Sequence, residues 1–343
     1  MRVIDPELSL GTPSRRYLLR GSAALGALAG LGVPRAARGA GEARTLRTGY
    51  IFGRDSQIGA GAADFARSVE AGTHGAWQIE IHPNAVLGGE VEMLDGLRRG
   101  EIDVAFVTAG SLAGTIPELA LLDLPFLFRD ASHAHAVLDG PIGRYYLDQF
   151  RELGLIALAW GENGVKQITN AVRPVRTPED LRGLRLGVPQ SEVTLRCFRQ
   201  LGVGAVPLGF SALYGALESG AIDGQDNPVT TVHGSHFERV QRYLTLTGHV
   251  YSSALIILCK EVWDNLNAAE RDVFTEAAVA GGILSRGSGG QDERDAVEAL
   301  RLAGMEVVPF VDRGAFRAAL EPVWSELAQQ FGEDRIARIG KLM

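Results

Sequence analysis

From Arg44 onward, short apolar runs alternate with segments whose apolar positions recur every three or four residues, which predicts strands alternating with helices. RTLRTGYIF (44–52), WQIEIHP (77–83) and IDVAFVT (102–108) are the predicted strands, with helices over AADFARSVEAGT (62–73) and EVEMLDGLRRG (90–100) between them. This βαβ alternation predicts an α/β protein with a largely parallel sheet. The order restarts after Gly164, with strand GLRLGVP, helix SEVTLRCFRQLG, strand GAVPL, helix FSALYGALESG, and a strand and turn in AIDGQDNP. Two lobes of related plan follow, with a hinge at residues 160–166. YSSALIILC (251–259) is a further strand, and residues 267–304 form one long helix or a broken pair, capped by Asn267 and ended by Gly304. The glycines of GGILSRGSGG each cost about 1 kcal/mol inside a helix, so a kink or a close packing contact is expected there.

With 343 residues, 46% of them hydrophobic and 22% charged, the chain has the values of a globular protein with room for two lobes. Residues 1–39 stand apart. The arginine pair of SRRYLLR precedes the mildly apolar GSAALGALAGLGV, too short to span a bilayer, and then AARGA, the layout of a secretory leader with twin-arginine character. Removing its six arginines and two acids takes the formal charge from −7 to −11. No basic face calls for nucleic acid, and no stable membrane insertion is indicated. Cys197 and Cys259 fall in apolar patterns and are expected as two buried thiols, with a disulfide the alternative in an exported protein.

Enzyme chemistry has little support, because GxSxG, HExxH, CxxC and phosphate-cradling loops are all missing, and no cofactor is implied. His233 and His236, without an acid or third ligand nearby, are expected at the surface. The alternation predicts a cleft at the carboxyl ends of the strands instead. Those ends carry Phe52, Glu90, Thr108, Ser111, Lys166, Gly187 with Gln190, Phe210, and Asp226 with Asn227. One cation, carboxylates, hydroxyls, amides and an aromatic floor make an inventory for recognition. Plainer roles exist for each: Glu90 as a dipole partner of its helix, Thr108 as a strand residue, Lys166 as a solvated turn lysine, Phe210 as core and Asn227 as a turn residue.

LGGEVEMLDGLRRGEIDVAF, LDLPFLFRD, ENGVKQITN, RPVRTPEDLRGLRLGVPQS, FSALYGALESGAIDGQDNP and YLTLTGHVYS resemble, in order, the motifs of the DctP-type solute-binding proteins of TRAP transporters. The resemblance covers the chain from about Leu46 to its end. It implies a periplasmic α/β protein of two lobes, joined by crossing strands and a long lobe-spanning helix, that closes on a small-molecule solute and docks on small and large membrane subunits. By this resemblance, residues 41–164 with 253–292 form one lobe and 165–252 with 293–343 the other.

The family's usual ligand is an organic acid, clamped by an arginine in a strand of the type LKGLKIRVP. This chain writes LRGLRLGVP, with Gly187 in the place of that arginine, and Lys166 at a second basic position. The equivalent contacts that remain are Glu90, Thr108, Lys166, Gln190, Phe210 and Asn227, with His249 a weaker candidate. The gap expected at Gly187 has room for a bulkier ligand, a water or a ligand hydroxyl or ammonium group. Arg185, on the same face by strand alternation, compensates only for a deeper ligand. A monocarboxylate held by Lys166 and Gln190 is the first expectation, and a polar solute without a carboxylate, cationic or zwitterionic, the second. A folded, exported enzyme and a sensory co-receptor are the competing classes.

Overall fold

The computed structural model describes residues 43–287 and 290–341; the expected leader lies outside them. Nine strands form one mixed sheet among these residues. They are β1 (Arg44–Gly49), β2 (Trp77–His82), β3 (Val104–Thr108), β4 (Leu155–Asn170), β5 (Arg185–Val188), β6 (Gly204–Pro207), β7 (Gly224–Pro228), β8 (Tyr243–Cys259) and β9 (Glu306–Val308). The helices that matter below are α1 (Gln57–Gly72), α2 (Glu90–Arg99), α3 (Ala131–Leu138), α4 (Pro141–Gln149), α5 (Glu192–Gln200), α6 (Phe210–Glu218), α7 (Val229–Gly234), α8 (Lys260–Asn265), α9 (Ala268–Leu284) and α10 (Gln291–Leu302).

The strand order is β2-β1-β3-β8-β4-β7-β5-β6, with β9 on the outer part of β8. β4 and β8 pair antiparallel along almost their whole length. Their one half continues through β3 into the parallel pair β1 and β2, and their other half through β7 into the parallel pair β5 and β6. The two lobes therefore share two long strands, and YSSALIILC is the inner half of a strand of 17 residues. β8 is buried over nearly all of it, which is why its last six residues, ALIILC, read as an unbroken apolar run.

Register slips where the lobes meet, between Glu162 and Gly164 and again between Lys166 and Ile168. Gly164 has φ +123°, a backbone conformation open mainly to glycine. The first of these bulges falls within the segment expected as a hinge and the second just past its end, and both re-aim the side chains of β4.

The expected lobe-spanning helix is a broken pair. α9 starts with a capping box, in which the Asn267 side chain accepts from Glu270 N while the Glu270 carboxylate accepts from Asn267 N. It stops at Leu284, and α10 opens after Gly290 at φ +86°. Both reasons expected for the glycines hold: a β carbon on Gly281 would stand 2.6 Å from Gly61 O, and one on Gly282 only 2.2 Å from Trp160 O. α9 thus lies directly on α1 and β4. The C-terminal segment folds back on the earlier chain, since Arg335 pairs with Glu118 at 2.5 Å and His133 bonds the carbonyl of Ile339. No described helix is long and apolar enough to cross a membrane. Both cysteines are buried and free.

Candidate functional site

A cavity of about 540 Å³ opens where β4 and β8 pass between the lobes. Glu90, Thr108, Lys166, Gly187, Gln190, Phe210 and Asn227, the seven residues singled out in the sequence, all line it. They come from strand ends and helix starts of both lobes, and only the fold brings them together.

Glu90 opens α2 behind the cap Gly89, but its carboxylate turns to β3 instead of merely facing the helix dipole. It accepts from Thr108 N at 2.5 Å and from Thr108 Oγ1 at 2.9 Å, and Thr108 Oγ1 in turn meets Ser111 Oγ at 3.0 Å. Burial raises the Glu90 pKa, against the opposing pull of the Ser111 and Thr108 bonds and of the Lys166 charge.

Lys166 is no solvated turn lysine. The bulges of β4 carry it inside, where it is 4% exposed, with Nζ 3.2 Å from Asp226 Oδ2. Burial disfavours its charge, yet Asp226, Asp123 and Glu90 outweigh burial and hold its pKa above the ordinary lysine value. Asn163 and Ser252, bonded to each other at 3.3 Å across the β4–β8 bulge, also face the cavity. Asn227, one residue after Asp226 on β7, donates to Gln225 Oε1 at 2.5 Å. Gln190 sits exposed at the rim.

The aromatic floor is a pair. Phe210, at the first position of α6, meets Phe52 from the chain just past β1, ring centroids 4.8 Å apart and edge on.

Three expectations need correction. Gly187 lines the cavity, but the space at its own side-chain position is taken: a β carbon there would meet Leu213 Cδ2 at 2.6 Å and Ile222 Cδ1 at 2.7 Å, so a side chain could leave this backbone only by displacing those two. Arg185 cannot compensate, because it is exposed and bonded to Asp223 and to the carbonyls of Gly220 and Ala221. His249 is not on the cavity wall; it stands behind it, Nε2 3.5 Å from Asp226 Oδ2 and Nδ1 2.7 Å from Thr247 Oγ1.

A buried acid went unnoticed in the sequence. Asp123, 4% exposed, lines the cavity, and its pKa is pushed up to about 6 by burial, opposed by Lys166 and assisted by Asp226. Its signal was there to find: a lone acid inside the apolar run ALLDLPFLF.

A family model for DctP, the bacterial extracellular solute-binding proteins of family 7, matches residues 48–330. The chain belongs to that family. Among solved structures, this DctP-family protein superposes with a TM-score of 0.85 on a TRAP periplasmic solute-binding protein of Bordetella, 39% identical, whose density is assigned to pantoate; 88% of this chain and 99% of that one are covered. A Polaromonas TRAP solute-binding protein bound to D-erythronate is 38% identical with the same TM-score, covering 87% and 99%. The 2,3-diketo-L-gulonate-binding periplasmic protein YiaO of Escherichia coli is 34% identical over 81% of this chain and 85% of its own. The DctP-family protein is thus a two-lobed periplasmic solute receptor and not an enzyme.

Proposed function

We propose that this receptor captures a small organic acid with one carboxylate in the interlobe cavity and presents it to the small and large membrane subunits of a TRAP transporter. The observation that carries the reading is Lys166: it is buried on the cavity wall, its charge is maintained, and it is the only basic side chain lining the cavity among the described residues. An ammonium offers three donors, of which Asp226 engages one, so a solute carboxylate can take the others. Asn227, Gln190 and Thr108 supply further polar contacts, and Phe210 with Phe52 an apolar wall. Pantoate, D-erythronate and 2,3-diketo-L-gulonate, named for the relatives, each carry a single carboxylate.

The same reading includes the division of the chain into lobes 41–164 with 253–292 and 165–252 with 293–343, and export by a twin-arginine leader over residues 1–39. A zwitterionic solute is the second reading, favoured by Asp226, which lines the cavity and whose two buried carboxylate oxygens both lack a hydrogen-bond partner among the described residues, an acceptor that an ammonium group would suit.

Thermal unfolding against a panel of carboxylates, amino acids, polyols and amines tests the proposal. A ligand at 100 times its Kd stabilises by about 2.7 kcal/mol, which moves the midpoint by several degrees at this size. Shifts by sugar acids and other monocarboxylates support the first reading, and shifts confined to amino acids or amines select the second. No shift from any acid overturns the first.

A further inference from the structure

We propose that this receptor takes up a proton from solvent together with its anionic solute, and that Asp123 holds that proton in the bound state. The inference rests on the organic-acid reading above and concerns how an anion is accommodated, whatever the number of its carboxylates.

Charge balance in the cavity carries the argument. Lys166 is the only basic side chain on the wall among the described residues, and Glu90, Asp123 and Asp226 share the wall with it. Lys166 and Asp123 are each 4% exposed and Asp226 1%. With these acids ionised, a single ammonium faces three negative charges before any solute arrives, and a solute carboxylate adds another. An unpaired charge in so poorly hydrated a site shifts its pKa and neutralises. One of the acids is therefore expected to bind a proton as the solute enters.

Asp123 has the least to hold its charge. Glu90 accepts from Thr108 N at 2.5 Å and from Thr108 Oγ1 at 2.9 Å, bonds that favour the ionised form. Asp226 stands 3.2 Å from Lys166 Nζ and 3.5 Å from His249 Nε2. No hydrogen bond is among the influences on the Asp123 carboxyl: burial pushes its pKa up to about 6, opposed by the Lys166 charge and assisted by Asp226. A solute carboxylate drawn to Lys166 offsets that one opposing charge and raises Asp123 further. At pH 7 the free protein holds Asp123 mostly ionised, so binding has a proton to collect. Once neutral, the carboxyl also offers the cavity an O–H donor that the ionised form lacks.

The test is calorimetric titration of the purified protein with D-erythronate at pH 7 in PIPES, HEPES and Tris, buffers of different ionisation enthalpy. Should D-erythronate give no heat, the panel carboxylate with the largest thermal shift replaces it. These acids are fully ionised at that pH, so the slope of observed enthalpy against buffer ionisation enthalpy counts the protons drawn from the buffer. A slope of ~0.5 to ~1 proton per solute is expected, with affinity falling by up to ~10-fold per pH unit between pH 6 and pH 8. Asp123→Asn, a lasting neutral stand-in for the protonated acid, is expected to lose both the slope and the pH dependence, and to bind at pH 8 about as tightly as the wild type does at pH 6. A wild-type slope of zero, a slope that survives in Asp123→Asn, or a folded Asp123→Asn that no longer binds the acid overturns the proposal and leaves the organic-acid reading standing. If no carboxylate in the panel binds the wild type, both readings fall.

The titratable groups facing Asp123 are Lys166 from β4, Asp226 from β7 and Cys197 from α5, with His249 of β8 behind Asp226 and Glu90 of α2 acting on Lys166. Burial pushes the Cys197 thiol up to about 12, so it keeps its proton throughout. Should Asp123→Asn not fold, His249→Gln and Glu90→Gln serve instead. Each is expected to retain the wild-type slope, and loss of the slope in either moves the proton to that residue and overturns the assignment to Asp123.

Discussion

Phe52 and Phe210 meet edge on, ring centroids 4.8 Å apart, although one belongs to the chain leaving β1 and the other to the start of α6. β1 and the β5–β6 pair that α6 follows lie on opposite sides of β4 and β8 in the sheet, and both rings line the cavity, so the ring pair is a direct contact across it. Aromatic pairs of this geometry contribute about 0.5–1.5 kcal/mol beyond burial. A double-mutant cycle with Phe52→Ala and Phe210→Ala, read in solute affinity, should return a coupling of that size. Additive effects would mean the rings act independently of closure.

Lys166 has a double task, and its removal should show on two axes. Lys166→Ala leaves Asp226 and Asp123 buried without their cation, which typically destabilises by about 3–5 kcal/mol. Solute affinity should fall by ~100-fold or more, while Lys166→Arg keeps the charge and should recover part of both losses. Urea unfolding and titration of the two variants together check this, and full affinity in a folded Lys166→Ala would remove the lysine from the site.

Gly187→Arg should destabilise the protein and not simply restore a missing clamp. The new β carbon would press on Leu213 and Ile222 at 2.6 and 2.7 Å, and overpacking of this kind costs about 1–3 kcal/mol. Trimming the obstacle with Leu213→Ala in the same chain should lower the cost of the arginine. Melting curves of the single and double variants decide, and a Gly187→Arg protein as stable as wild type would show that the two side chains step aside freely.

Asp123 should make its own contribution to stability depend on pH. Its carboxyl has a pKa of about 6 in the folded chain against 3.8 as an ordinary aspartate, so the folded state holds the proton more tightly. The stability this adds is fully present below pH 3.8 and is lost as pH rises through about 6, an effect of about 3 kcal/mol at ~1.4 kcal/mol per unit. Asp123→Asn should therefore be stabilised relative to wild type most at neutral pH, and the gap should close toward pH 4. Parallel curves for the two proteins across that range would rule out the shift.

The strand and helix order, the helix cap at Asn267, the burial of the two cysteines and the nearness of seven named residues to one cleft were legible in the sequence, because periodicity, capping chemistry and the strand-end rule are local properties. The length of β8 was only half legible: its outer part, YLTLTGHV, mixes polar and apolar residues, and pairing with β4 makes it strand. Three matters were decided by tertiary structure alone. Which side chain fills the space beside Gly187 depends on Leu213 and Ile222, which lie 26 and 35 positions away and arrive from another element. Asp123 became a cavity group because the chain around it packs between Gly110 and Lys166. The depth of Lys166 and its pairing with Asp226 depend on the register of β4 against β7 and β8, and a register is set by the partner strands, not by the residues that slip.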